Sequence, residues 1–211
     1  MREKDWIKQA EAVWNQETPK MDAAQLKGFV EGFIGQKERF LNCVADQGSP
    51  LYVFDKPALV KRIQQFKSAF EAVFEQIRFF YAMKCNSHPF MIATAIEQGC
   101  GIDVSSGEEL KKSLEQSPKA VVFSGPGKTE EELALACRHA EVVTVLMDSF
   151  VELKRLAAAA AAQGVKIRAG VRLTIDEKGL WRKFGVPLKR LASFFEEARK
   201  YPQIELCGLQ F

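Results

Sequence analysis

Phe79-Phe80-Tyr81-Ala82-Met83-Lys84-Cys85-Asn86 is the stretch on which the fold turns. From Ile77 to Met83 only Arg78 is charged, a pattern that predicts a parallel strand buried on both faces of an α/β fold. Lys84 closes that strand. A lysine at the C-terminal end of a parallel strand stands where barrels and doubly wound sheets gather their chemistry. Between apolar walls its amine would lose part of its charge, the condition that a Schiff-base lysine needs. The plainer alternative is a lysine that ends a strand and reaches water, the commoner state of this residue.

Working outward, the chain repeats one unit from Ile77 onward, a short apolar strand followed by an amphipathic helix. The strands predicted are 77–84, 101–105, 120–124, 142–147, 168–173 and 206–211, with ends about 20 to 25 residues apart until a longer last interval. Ser106-Gly107-Glu108-Glu109 and Thr129-Glu130-Glu131-Glu132 both read as capping boxes that start helices. Leu156 with the alanine run 157–162, closed by Gly164, reads as a helix thin enough to lie close on a sheet. Successive βα units without a reversal favour a (β/α)8 TIM-type barrel over a doubly wound sheet, and a whole barrel takes roughly 250 residues. The 211 residues are expected to hold about six of its strands, with the barrel truncated beyond them.

Towards the N-terminus the same logic predicts helices. Trp6, Ile7, Ala10, Val13 and Trp14 share one helical face within residues 2–17. A second helix starts at the N-cap Asp22 and is expected to break near Gly35. Gln47-Gly48-Ser49-Pro50 reads as a turn, Leu51 to Phe54 as a short strand, and Asp55 as the cap of a helix with Pro57 in its first turn. The expected division is an N-terminal helical segment, 1–47, and a partial barrel, 48–211.

Composition narrows the class. With 47% hydrophobic and 27% charged residues the chain is an ordinary globular one, and a formal charge of +3 from 30 basic and 27 acidic residues argues for no nucleic-acid partner. No apolar run nears the roughly 18 residues of a membrane span, and no secretory leader is evident, so a cytoplasmic protein is expected. Five cysteines without a CxxC pair speak against disulfides and structural zinc. His88 and His139 lack ligand spacing, so no metal site is expected.

The strand ends supply the chemical candidates: Lys84 with Asn86 and His88, Asp103 with Ser106, the loop Ser124-Gly125-Pro126-Gly127-Lys128, Asp148, and Arg172. A lysine, an acid, a Gly-Pro-Gly loop and an arginine around one mouth can hold a phosphorylated cofactor. No GxGxxG or GxxxxGK[ST] fingerprint competes.

Several of these segments, in order, resemble one family. Phe80-Tyr81-Ala82-Met83-Lys84-Cys85-Asn86, Gly101-Ile102-Asp103-Val104-Ser105-Ser106-Gly107-Glu108-Glu109-Leu110, Phe123-Ser124-Gly125-Pro126-Gly127-Lys128, and Val171-Arg172-Leu173 with Lys183-Phe184-Gly185 are similar to the fold-type III pyridoxal-phosphate decarboxylases. That group acts on diaminopimelate, ornithine, arginine and carboxynorspermidine. The resemblance spans about residues 40–211, Ser49 to Asp55 looking like the family's opening strand. It implies pyridoxal 5′-phosphate as cofactor, Lys84 as its Schiff-base lysine, and Asp103, Ser106 and Arg172 as cofactor-binding residues. It implies a small-molecule amino-acid substrate and a homodimer in the full-length form. Ser106 and Glu109 are equally accounted for as a capping box, and Asp103 or Arg172 as structural strand-end charges. The family's ring-stacking histidine, glycine-rich phosphate loop, pyridine-nitrogen acid and C-terminal β-domain have no counterpart here. The chain therefore reads as the N-terminal part of such an enzyme, expected to be a poor catalyst by itself. A racemase-like barrel using the same lysine, or a non-catalytic homologue that binds a full-length partner, remains open; the racemase pattern Asn-Ala-Tyr-Gly does not match Asn86-Ser87-His88-Pro89.

Overall fold

A computed structural model describes residues 22–174, 178–180 and 182–211. The helix expected within residues 2–17 lies outside them. The chain divides into two units, residues 1–54 and 55–211.

In the first unit, Asp22 caps helix α1 (Ala23–Ile34) through its carboxylate, which accepts from the Ala24 and Gln25 N–H groups. The chain breaks at Gly35 and restarts as α2 (Lys37–Gln47), as the glycines predict. Phe29, Phe33 and Phe40 form an aromatic row, with ring centroids 5.0 and 6.0 Å apart. The strand expected over 51–54 is not present. Those residues are irregular, and Tyr52 is fully exposed. Four apolar residues hold extended backbone only with a ladder partner, and none is supplied among the described residues.

The second unit is built of βα repeats. Helix α3 (Lys56–Glu71) starts at the Asp55 cap and leads to β1 (Phe80–Ala82) and a 3₁₀ turn, Met83–Cys85. There follow α4 (Pro89–Glu97), β2 (Gly101–Val104), α5 (Gly107–Leu114), β3 (Val121–Phe123), α6 (Glu130–Arg138), β4 (Val143–Met147), α7 (Phe150–Gln163) and β5 (Ile167–Thr174). The last elements are β6 (Val186–Pro187), α8 (Leu191–Ala198) and β7 (Ile204–Gln210). Every pairing among the described residues is parallel: β1 with β2, β2 with β3, β3 with β4, β4 with β5, and β5 with both β6 and β7. A doubly wound sheet reverses its strand order at a switch point, and this order runs one way. The architecture is that of a partial (β/α) barrel.

Alternation divides the strands into two faces. Ile102, Val104, Phe123, Val145, Met147 and Val171 are buried in one core with Leu110, Leu133, Leu153, Leu156 and Phe194 of the helices. The alternate positions, including Asp103, Leu146 and Arg172, are half-buried. The expectation that the strand ending at Lys84 is buried on both faces is therefore corrected. Strand β1 is only three residues long and pairs, among the described residues, with β2 alone, which leaves Phe80 37% exposed.

The alanine run forms a helix as expected. Ala157 and Ala160 lie against the core, and Gly164 ends α7 in the left-handed region, φ +67°, where a side chain would be strained. The same helix offers a test of which face carries stability. Leu156→Ala is expected to lower unfolding free energy by about 2–5 kcal/mol, because Leu156 is fully buried. Val151→Ala, at a position 66% exposed, is expected to change it by less than about 0.5 kcal/mol in the same urea titration.

Candidate active site

Parallel order brings the C-terminal strand ends to one edge, where a cavity of about 700 Å³ opens. Its lining includes Lys84, Asp103, Ser105, Ser124, Arg172 and Gln210, with Leu180, Phe184 and Phe211 as apolar wall. Lys84, Asp103 and Arg172, expected together from the sequence, meet there. Ser106 does not line it.

Lys84 occupies the 3₁₀ turn after β1. Met83 is fully buried and anchors the turn, and the Tyr81 hydroxyl donates to the Asn86 carbonyl across it at 2.9 Å. The Asn86 side chain accepts from the His88 N–H, and His88 Nδ1 accepts from the Phe90 N–H at the start of α4. His88 is thus a helix cap, and no cluster with metal-ligand character occurs among the described residues. Lys84 itself is exposed, so the apolar enclosure expected of it is not furnished by these strands.

Asp103 sits on β2 opposite Ala82 of β1 and Val122 of β3. Its Oδ1 is buried without a hydrogen-bond partner. Burial raises its pKa above the ordinary carboxylate value; a hydrogen bond from Ser124 and the charges of Lys84 and Arg172 oppose the shift without cancelling it. An orphaned acceptor in a cavity wall is a place for a ligand donor.

The two serines after β2 divide their work. Ser106 Oγ accepts from the Glu109 N–H at 3.2 Å and caps α5, while Glu109 Oε2 returns to the Ser105 N–H at 2.7 Å. Sequence reasoning chose Ser106; the cavity residue is Ser105. A Cβ on Gly125 would lie 1.9 Å from the Ser105 carbonyl oxygen, so the loops after β2 and β3 approach closer than any side chain permits. The full capping box at Thr129 and Glu132 has both arms, and Glu132 Oε1 also accepts from the Gly107 N–H at 2.5 Å.

Arg172 on β5 is held from several sides. Nη2 donates to the Ser124 carbonyl at 2.7 Å, Nε donates to Gln210 Oε1 at 3.2 Å and lies 3.4 Å from Asp148 Oδ1, and the Phe184 ring lies under the guanidinium at 5.1 Å. Thr174 Oγ1 donates to the Phe184 carbonyl, fixing that ring's loop. Asp148 Oδ1 also accepts from the Gly185 N–H at 2.8 Å. Lys128, counted with the cofactor loop from the sequence, turns away into the protein. Its Nζ donates to the Gly125 carbonyl at 2.5 Å, the Leu146 carbonyl at 2.6 Å and Glu152 Oε1 at 2.6 Å. Lys183 lies in the loop before β6, its ammonium 5.0 Å from the Phe184 ring. Gln210 and Glu152 carried no motif; the pairing of β5 with β7 brings Gln210 to the arginine, and the first turn of α7 brings Glu152 to Lys128.

A primary amine, a guanidinium, hydroxyls and an unsatisfied carboxylate around a cavity of this size suit a small, anionic, aldehyde-bearing group such as pyridoxal phosphate. Residues 56–211 match the family model described as the pyridoxal-binding domain of pyridoxal-dependent decarboxylases. The chain is 31% identical over 174 residues to a diaminopimelate decarboxylase of Aquifex aeolicus, covering 77% of this chain and 40% of that protein. It is 32% identical over 174 residues to one of Vibrio cholerae, covering 77% and 41%. The structure of diaminopimelate decarboxylase from Helicobacter pylori complexed with L-lysine superposes with a TM-score of 0.70 at 27% identity, over 81% of this chain and 45% of that one. The chain thus spans about two fifths of the length of the curated relatives it matches. No helix among the described residues is long and apolar enough to cross a membrane.

The raised pKa of Asp103 gives a signed test. The folded chain binds this proton more tightly than the unfolded one, so stability falls as pH rises from the ordinary value of 3.8 through the raised one. Asp103→Asn is expected to stabilise the cofactor-free chain at pH 7, with the gain vanishing below pH 3.8. Urea titrations of both chains across that range check it.

Proposed function

This chain belongs to the pyridoxal-dependent decarboxylases through their pyridoxal-binding domain, and from that membership we propose that it is the amino-terminal, cofactor-carrying portion of an enzyme that decarboxylates an amino acid of the diaminopimelate or ornithine type. The observation that carries the reading is the convergence of Lys84, Asp103 and Arg172 on one cavity from three different strand ends. When bound, pyridoxal phosphate supplies an electrophilic ring that takes up the electron pair left as a carboxylate departs as carbon dioxide.

The chain's own residues then have distinct tasks. Lys84 Nζ is the amine that would hold the cofactor's aldehyde carbon, and its exposed turn leaves that amine open to an incoming small molecule. Asp103 would offer its unpartnered oxygen to a donor on the bound group, and its raised proton affinity suits it to hold a proton beside Lys84. Arg172, fixed by Ser124, Gln210 and Asp148, offers a cation that cannot be discharged to anionic groups in the cavity. Ser106 serves the site through the α5 cap that sets Ser105 in the wall. A homodimer of the full-length protein and a cytoplasmic location complete the proposal.

The test is direct. Incubation with pyridoxal phosphate, reduction with borohydride and mass mapping are expected to place one pyridoxyl group on Lys84, and Lys84→Ala is expected to lose at least nine tenths of it. Carbon dioxide release from diaminopimelate, ornithine, lysine and arginine is then followed in the same preparations. Label scattered over surface lysines and undiminished in Lys84→Ala would refute the assignment.

A further inference from the structure

One buried charge pair lies below the cavity and takes no part in the chemistry just assigned. The Lys128 side chain is 0% exposed and that of Glu152 6%, with Nζ and Oε1 2.6 Å apart. Burial costs both ions their hydration, and desolvation lowers the pKa of Lys128 against the pull of Glu152 and Asp148. The pair's remaining hydrogen bonds are directional.

Lys128 donates to the carbonyl of Gly125 in the loop after β3 and to that of Leu146 near the end of β4. Its Nζ also lies 5.1 Å from the Phe123 ring. Glu152, at the start of α7, uses its second oxygen, Oε2, to accept from the Asp148 N–H at 2.9 Å. Its own N–H is taken by the Ser149 cap. Asp148 in turn faces Arg172 and the Gly185 N–H. The residue before Gly125 is Ser124, whose carbonyl receives Arg172 Nη2. Two branches thus run from one ion pair to one guanidinium: through the Gly125 loop to the Ser124 carbonyl, and through the Asp148 backbone to the Asp148 carboxylate.

We propose that the Lys128–Glu152 pair is a positioning device that sets the Arg172 guanidinium at the cavity wall by fixing the Ser124 carbonyl and the Asp148 carboxylate that hold it. The role assigned to that guanidinium rests on the cofactor reading above; its placement by the pair does not. A lysine alone would hold the Gly125 loop to the end of β4, and a glutamate alone would hold Asp148. Only the pair couples them with no net charge left in the core.

The double variant Lys128→Met/Glu152→Leu removes both charges at similar volume, a replacement that buried pairs often tolerate without loss of stability. Arg172 modification by phenylglyoxal, mapped by mass spectrometry in the cofactor-free 211-residue chain, is the readout. It is expected to rise at least fivefold while circular dichroism and the unfolding midpoint stay near those of the parent. Pyridoxyl labelling of Lys84 is expected to fall several-fold in parallel. Leu133→Ala, which weakens the core without touching the network, is expected to leave Arg172 reactivity within twofold. Arg172 reactivity unchanged in a folded double variant, or raised equally by Leu133→Ala, would overturn the proposal. Should the double variant not fold, Asp148→Asn decides: it leaves the pair intact and weakens the carboxylate's hold on Arg172 and on the Gly185 N–H, so unchanged reactivity there overturns the inference as well. If the parent takes no label on Lys84 at all, the cofactor reading fails and the arginine measurement still decides this one.

Discussion

Each strand from β1 to β5 pairs parallel with its sequence neighbour, and a parallel pair cannot be closed by a hairpin. The chain has to return over a helix every time, so the helices collect on one face and all C-terminal strand ends emerge at one edge. Lys84, Asp103, Ser124, Arg172 and Gln210 are far apart in the chain and reach one cavity for that reason alone. The helical face carries the stability. It holds the fully buried residues, whereas the alternate strand positions are left half-buried and free to be polar.

Once polar groups are gathered at that edge, the way each is satisfied separates scaffold from chemistry. Arg172 has a carbonyl, an amide oxygen, a carboxylate and a ring about it. It is rigid and ready to act as a fixed charge. Asp103 has an oxygen with nothing to accept, and its burial pushes its proton affinity up. An unmet acceptor costs the folded chain stability, and sites tolerate that where a ligand later supplies the donor. The contrast between the two follows from place: Arg172 is on β5, flanked by β4 and β7, whereas Asp103 is on β2, next to the short and thinly paired β1.

The same logic explains what could be read from sequence. The strands expected at 101–105, 120–124, 142–147, 168–173 and 206–211 appear as Gly101–Val104, Val121–Phe123, Val143–Met147, Ile167–Thr174 and Ile204–Gln210, because apolar runs between capping signals are local information. The pieces that misread depend on partners. Leu51 to Phe54 has strand composition and no ladder, and β6 has two residues that pair only because Leu173 and Thr174 pass beside them. At the site, strand-end position was enough to find Lys84, Asp103 and Arg172. It could not separate Ser105 from Ser106, since that depends on Glu109 sending its backbone to one serine and its carboxylate to the other.

The two lysines make the point most sharply. Lys84 follows β1 directly, and Lys128 ends the loop that follows β3, so both stand on the C-terminal side of a strand. What parts them is the acid available to each. Glu152 stands three residues after the Ser149 cap, so the first turn of α7 aims its carboxylate back under the β4 end, where Lys128 Nζ meets it with two carbonyls. All three of that ammonium's protons are thereby engaged, and it has none to release without breaking the core. Lys84 has no hydrogen bond or ion pair among the described residues. Of the two amines Lys84 is the one that the fold leaves uncommitted, and the proposed cofactor role requires such an amine.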